Sequence, residues 1–564
     1  MISKTLKRLP VLLLLGLALA GCGGRGGKPP LTPIPPPVPA EVQVAISSPA
    51  VNVDLGQGDL FRATLAGTWT GRNLGSAQVY LQVNDSGNTF VLPDVQLAPA
   101  GGSFSHSLPV LTTVGAGPRT GSLAVRACRD AACAQPYEGA SASLAYQLRV
   151  TAVPEWETYQ GNAAHTGYVP ITLDPTRFVT AWSWTTSGAA PQVESIVTSP
   201  SRAHALVTQT YLDAYPSVSQ RFFAFDAASG AVSWTNFVGS YFGRSRDPSL
   251  YVGYPAIGHG RLYHQIRYER SPFCMGPPEL CNLDQGSEVR SLALSDGLAI
   301  MNSQWRPYGT SNTAPVPFGD FVYVQGAKSM RAYNRDGAVH WEVTNEEPYA
   351  RAAPAVDETR VYTVTSQSES QLSAGNLQIL DRATGAPLAS IAHPATPGVS
   401  GGVAPVLGGR GNVMVHVACL QDTRFTCQLA SLHIATRAWA WTTTARYLAA
   451  PAVANGVVYA RRDSSPMTVD AIDEATGAVL WSRPLPTGTK ISAGLPNMIV
   501  TRNILFVGSD VATYAMELES GRIAYELPRA GVLALSADRM LYLGRRDRNG
   551  SSDLPSGLVA VRLQ

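Results

Sequence analysis

Of the side chains in this 564-residue sequence, the cysteines are best placed for covalent chemistry, and six of the seven stand in close pairs: Cys128 with Cys133, Cys274 with Cys281, and Cys419 with Cys427. Thiols this near one another can form a disulfide in an oxidising compartment or supply half of a zinc site. None of the pairs has Cys-x-x-Cys spacing and no histidine pair flanks them, so all three read as disulfides. Each would close a short loop, worth roughly 2–2.5 kcal/mol by loop-closure entropy. His259 and His264 are five apart, on or beside one strand, a spacing that gives ligand duty no support. No Ser-His-Asp set, glycine-rich phosphate loop or His-Glu-x-x-His pattern is present, so no catalytic residue, cofactor site or metal site is assigned.

The aspartates that recur do so in a turn. Asp226-Ala-Ala-Ser-Gly230 is followed by Trp234, and Asp473-Glu-Ala-Thr-Gly477 by Trp481; Asp381–Gly385 repeats the turn with Ala389 where the Trp would stand. An aspartate here accepts hydrogen bonds from amides two or three residues on, and the glycine takes the left-handed conformation that reverses the chain. A Trp four residues later offers a broad face to bury between neighbouring units. Asp226, Gly230, Trp234, Asp381, Gly385, Asp473, Gly477 and Trp481 are therefore structural residues. Imperfect copies keep the skeleton: Asn334–Gly337 with Trp341, His433 and Arg437 before Trp441, Glu517–Gly521 with Tyr525, and Leu294–Gly297 with Trp305 arriving late.

A second landmark precedes each turn: a proline or small residue with Val or Ile, then a tight turn, then a strand rich in Val and Tyr. Pro255-Ala-Ile before Arg261-Leu-Tyr263 and Pro451-Ala-Val before Val457-Val-Tyr459 are examples. Together the landmarks give four strands per unit at a period of roughly 40–60 residues. Seven units are complete. The chain ends on a third strand, Leu558–Val561, while a lone strand, Phe178–Trp184, opens the array. Joining them closes the ring and removes both exposed edges. The expectation is an all-β fold: an eight-bladed β-propeller over 153–564.

The region before it divides in three. Residues 1–21 carry Lys4, Lys7 and Arg8 and an apolar stretch from Leu9 to Ala20, too short for the ~20 residues that span a bilayer, and so an export signal. Residues 22–40 are rich in Gly and Pro and form a tether. Residues 41–152 hold about seven short strands between turn signals, which argues a small β-sandwich. The chain has 43 basic and 40 acidic residues; removal of the signal leaves the signs equal, with no basic run for nucleic acid.

Three resemblances add to this reading. Leu19-Ala-Gly-Cys22 resembles the lipobox of bacterial lipoproteins, which implies acylation of Cys22; Gly23, where an Asp would signal inner-membrane retention, implies the outer membrane. The sandwich resembles immunoglobulin-like domains of bacterial surface proteins. The turn repeats, with the lead-in Trp156–Gly167, resemble PQQ-like (pyrroloquinoline-quinone-type) propeller repeats. That family includes quinone-dependent alcohol dehydrogenases and a non-catalytic outer-membrane lipoprotein that helps assemble β-barrel proteins. The enzyme reading needs a quinone, a calcium ion, a carboxylate base and, in many members, adjacent cysteines, and no adjacent cysteine pair exists here. The expectation is a non-enzymatic, lipid-anchored outer-membrane protein, on the periplasmic face or the cell surface, presenting a propeller to protein partners through its blade loops. The alternatives are a PQQ-dependent quinoprotein and a cell-surface glycan-binding protein. Tyr211–Gln220, Gly239–Pro248 and Tyr268–Glu288 are expected as long loops, with Tyr241, Phe242, Tyr251 and Tyr254 clustered around Arg244 and Arg246 as a contact face.

Overall fold

A computed structural model describes residues 38–186, 191–211, 217–242, 249–269, 286–305, 313–344, 352–366, 375–394, 403–419, 426–487, 489, 497–509, 511–545 and 557–563. The signal segment, most of the tether, Cys22, Arg244 and Arg246 lie outside the described residues. Of the three expected disulfides, those of Cys128 with Cys133 and of Cys419 with Cys427 are formed. The third, expected between Cys274 and Cys281, lies outside the described residues.

Two sheets face each other in the N-terminal region. One has the order Glu41–Ile46, Arg62–Arg72, Ser103–Pro109; the other runs Val51–Gly56, Pro136–Thr151, Gly117–Cys128, Tyr80–Asp85, Gln96–Leu97. Alternate residues of these strands point inward, so Leu65, Leu123, Val125 and Leu148 are buried between the sheets. The bond from Cys128 to Cys133 pins a loop in which Asp130 accepts from the amides of Ala132, Ala134 and Gln135.

From residue 192 onward the described strands form antiparallel meanders of four, the inner strand of the second being split into Ser249–Val252 and Ala256–Gly258, which both pair with Arg261–Glu269. Gln192–Ser199, Arg202–Tyr211, Ser217–Asp226 and Val232–Phe242 make the first. One sheet has seven strands because the long strand Ala438–Ala454 is outermost in one unit and innermost in the next. Cys419 and Cys427 are bonded beside the second and third strands of that sheet. The array closes on itself: Leu558–Arg562 pairs with Val179–Trp184, matching Leu558 to Trp184 and Val561 to Thr180.

Strand alternation sorts the connections. In every unit the first-to-second and third-to-fourth turns share one end of the ring, here the turn end; the other connections share the loop end. The three segments expected as long loops are shorter in the fold, because their polar residues alternate with apolar or β-branched ones and extend the ladders. Tyr211 pairs with Ser217, Phe242 with Ser217, and Tyr268 with Gly286, so only 212–216, 243–248 and 270–285 of these segments remain outside the described strands.

The sandwich stands on the turn end. Asp59 bridges to Arg539 at 2.6 Å with both side chains largely buried, and also accepts from the amides of Gly56 and Thr172. Arg502 donates to Pro170 O, Asp54 O and Thr151 Oγ1. Gly56 passes so near Pro170 O that an added methyl would lie 2.3 Å from it.

Candidate functional site

The turn repeat builds the wall of the ring. Asp226, Asp381 and Asp473 each accept from the amide and the hydroxyl of the Ser or Thr three residues on, at 2.6–2.9 Å. These hydroxyl bonds hold the three carboxyls below the usual carboxylate range. The glycine that ends each turn has positive φ, 73° at Gly230, Gly385 and Gly477. It also receives an indole from the preceding unit. A methyl on Gly230 would lie 2.5 Å from Trp182, one on Gly297 2.5 Å from Trp234, and one on Gly477 2.7 Å from Trp441. Each indole N–H donates to a carbonyl of the same turn: Trp182 to Ala227, Trp234 to Leu294, Trp341 to Arg382, Trp441 to Glu474 and Trp481 to Leu518, at 2.8–3.1 Å. Unit is thus locked to unit by burial plus one directed bond.

Where the sequence departs, the packing changes with it. Met301, four residues after Gly297, takes the indole's place against Gly337; Trp305 lies further along at the strand's end, opposite Ser287. Arg437 holds the turn position at φ 56°, and the preceding unit has Ala389 there, so no indole competes for its Cβ. Trp439 packs back instead, its indole N–H donating to Ala392 O at 2.9 Å.

The lead-in segment fills the axis. Glu155 Oε2 accepts from Ala537 N. Trp156 O accepts from Thr198 N, Glu157 O from Ile257 N, Ala163 O from Val356 N, Ala164 O from Leu407 N, Thr166 O from Val453 N and Gly167 O from Val500 N. Thr158 Oγ1 donates to Pro315 O. These partners lie on or beside the innermost strands of successive units, whose inward edges would otherwise leave amides unpaired. Glu155–Gly167 is consequently a belt around the channel. His165 Nδ1 donates to Pro405 O, 3.1 Å away, and burial lowers the pKa of this histidine to about 4.

Above the belt is a funnel of about 490 Å³ including its open mouth, with Trp156, Thr158, Tyr159 and Gln160 as floor. Its wall includes Ser195, Tyr254, Ala449, Asn497 and Leu533. Tyr254, Asn497 and Val532 stand at the starts of inner strands, so the mouth opens at the loop end. Tyr254 thereby departs from the loop cluster expected for it: its ring packs on Tyr159, centroids 5.6 Å apart, because the chain turns inward at Pro255. His264 is buried on its strand against Phe222, whereas His259 sits in the hairpin with its Nε2 2.8 Å from Gly319 O. No cluster of three potential metal ligands occurs among the described residues. None of the described residues lining the funnel is charged, so an anionic quinone with a divalent cation does not fit this described wall.

Gln160 and the Asp59–Arg539 pair carry no signal in the sequence, since their partners lie hundreds of residues away, and Ser195 is an ordinary strand residue there. Met301 does carry one: the spacing of four from Gly297.

Comparison with known proteins places part of this architecture. Residues 373–534 match the PQQ_2 family, described as Outer membrane protein assembly factor BamB. A curated protein, tetrathionate hydrolase of Acidithiobacillus ferrooxidans, is 38% identical over 89 residues, 13% of this chain and 17% of that one. The chain thus spans about a sixth of that relative's length. Among solved structures, BamB from Moraxella catarrhalis is similar at 15% identity and a TM-score of 0.40, over 68% of this chain and 99% of that one. The computationally designed Ika8 protein is similar at 12% identity and 0.42, over 68% and 99%. Residues 373–534 match a PQQ-type repeat family, and the closed all-β array of four-stranded sheets that contains them is a propeller.

Proposed function

We propose that this chain is a non-enzymatic scaffold of the bacterial outer membrane, anchored through acylated Cys22, whose eight-bladed propeller offers its loop end to protein partners. The observation that carries this reading is the division of labour between the two ends. The turn end bears tight hairpins and holds the immunoglobulin-like spacer (41–152) through Asp59, Arg539 and Arg502. The loop end bears the longer connections, which suit a display of varied side chains on a rigid frame. One of these connections carries Cys274 and Cys281, and a disulfide between them would brace it. The match of residues 373–534 to an assembly-factor family supports a scaffold role.

The test is site-specific crosslinking in cells. A photo-crosslinking side chain at Thr344, exposed at the loop end, should capture discrete protein partners; one at Asp336, exposed in a turn of the same unit, should not. Capture from Asp336 alone would reverse the assignment of faces. Cys22→Ser should release the protein from the membrane fraction, and retention would remove the anchor. The tetrathionate hydrolase relative defines the enzymatic control: turnover of tetrathionate by the purified protein, or a stable quinone chromophore in it, would overturn the non-enzymatic reading.

A further inference from the structure

The funnel above the axial belt is built for something other than a protein surface. Gln160 is 2% exposed and Ser195 4% exposed, yet Gln160 Oε1 and Ser195 Oγ have no hydrogen-bond partner. Both residues line the funnel. The amide cannot simply be turned over, because Gln160 Nε2 donates to Pro451 O at 3.2 Å and reversal would set two oxygens against each other. Its unpartnered oxygen therefore requires a donor. Buried polar atoms of this kind are costly unless satisfied. Around them stand the rings of Trp156, Tyr159 and Tyr254, and none of the described lining residues is charged.

We infer that the funnel binds a small neutral polyhydroxylated ring, a monosaccharide-sized sugar, with one hydroxyl donating to Gln160 Oε1 and another bonded to Ser195 Oγ. The apolar C–H face of such a ring suits aromatic walls, as its hydroxyls suit an acceptor and a hydroxyl. The absence of charge among the described lining residues disfavours phosphorylated or carboxylated sugars, whose desolvation would find no compensation from them. This site is independent of the proposed scaffold role and does not rest on it.

Saturation-transfer NMR and calorimetry on the full-length protein in detergent, with glucose, galactose and N-acetylglucosamine as probes and glucose 6-phosphate as the charged comparison, test it. At least one neutral sugar should bind saturably and the phosphate ester should not. Ser195→Ala should weaken that binding roughly tenfold, the worth of one buried hydrogen bond. Gln160→Met should weaken it at least as much. Ser195→Ala removes one oxygen and keeps the fold, so an unfolded Gln160→Met protein leaves the test intact. Absence of binding by all three neutral sugars overturns the inference, as does binding that Ser195→Ala leaves unchanged or that the phosphate ester matches. A water-filled funnel would produce the first of these results.

Discussion

The contact between each indole and the next unit's glycine can be isolated by comparing two glycines in the same backbone conformation. Gly477 and Gly260 have φ of 73° and 72°. An alanine at either must adopt the left-handed region, at about 1–2 kcal/mol. Only at Gly477 does the new methyl meet anything: Trp441 Cγ would lie 2.7 Å away and Cδ2 2.8 Å, whereas nothing lies within 4 Å of a methyl at Gly260. Forcing a methyl into such a contact costs about 1–3 kcal/mol more. Both alanines restrict the unfolded chain equally, so that contribution cancels. Gly477→Ala should therefore lower stability by about 1–3 kcal/mol beyond Gly260→Ala, read from the shift in urea midpoint by far-UV circular dichroism. In a Trp441→Ala background most of the excess should vanish, since the obstructing ring is gone and only the Cβ, 3.1 Å from the new methyl, remains. Equal losses for the two alanines, or an excess undiminished by removal of the ring, would refute the account of the lock.

The irregular unit gives a reciprocal case: Ala389→Trp alone should destabilise, because Arg437 has a Cβ where other units have glycine, and Arg437→Gly should recover part of the loss in the same denaturation assay. Asp59→Ala removes one partner of a buried ion pair and leaves Arg539 uncompensated, at about 3–5 kcal/mol. The sandwich should then melt apart from the propeller, seen as a split calorimetric transition and new proteolysis near residue 153. Asp470 is fully buried and accepts from Tyr447 Oη, Arg462 Nε and Ser482 Oγ, so Asp470→Leu should cost several kcal/mol by thermal melting. Burial lowers the pKa of His165, His393 and His416 to about 4 and of His204 and His264 to about 3. Above pH 6.5 these groups are neutral folded or unfolded; below it the unfolded chain takes up protons that the native chain refuses, so stability falls as pH drops from 6.5 toward 4. Each contributes up to about 1.4 kcal/mol per pH unit. Glu155 and Glu157, whose carboxyls burial pushes up, act in the opposite direction. Urea midpoints at pH 7.5, 6.5 and 5.5 check the slope, which His416→Gln should flatten.

What a sequence discloses about this fold follows from the range of the interactions concerned. The Asp-x-x-Ser/Thr-Gly turn is legible because its hydrogen bonds span three residues and repeat, and closure is legible because a strand is missing at one terminus and spare at the other. The partner of each Trp is harder to read, since Trp234 reaches Leu294 and Gly297 some 60 residues on. Even so, the paired exception of Ala389 and Arg437 discloses it once the turn's geometry is known: a side chain is admitted at the glycine position where the facing indole is absent. Loop lengths are misjudged for a different reason, because Thr, Ser and Gln at a strand's end look like loop until a partner strand supplies the ladder that extends them, as Tyr211 and Ser217 do. The funnel is the least legible feature. Gln160 and Ser195 are ordinary polar residues in the chain, and only the belt, held in turn by amides or carbonyls from the inner strands of successive units, places both at one cavity with an oxygen unsatisfied. A repeat can therefore be read from spacing alone, while a binding site made by joining the repeat's axis to a non-repeating segment depends on a topology that spacing does not encode.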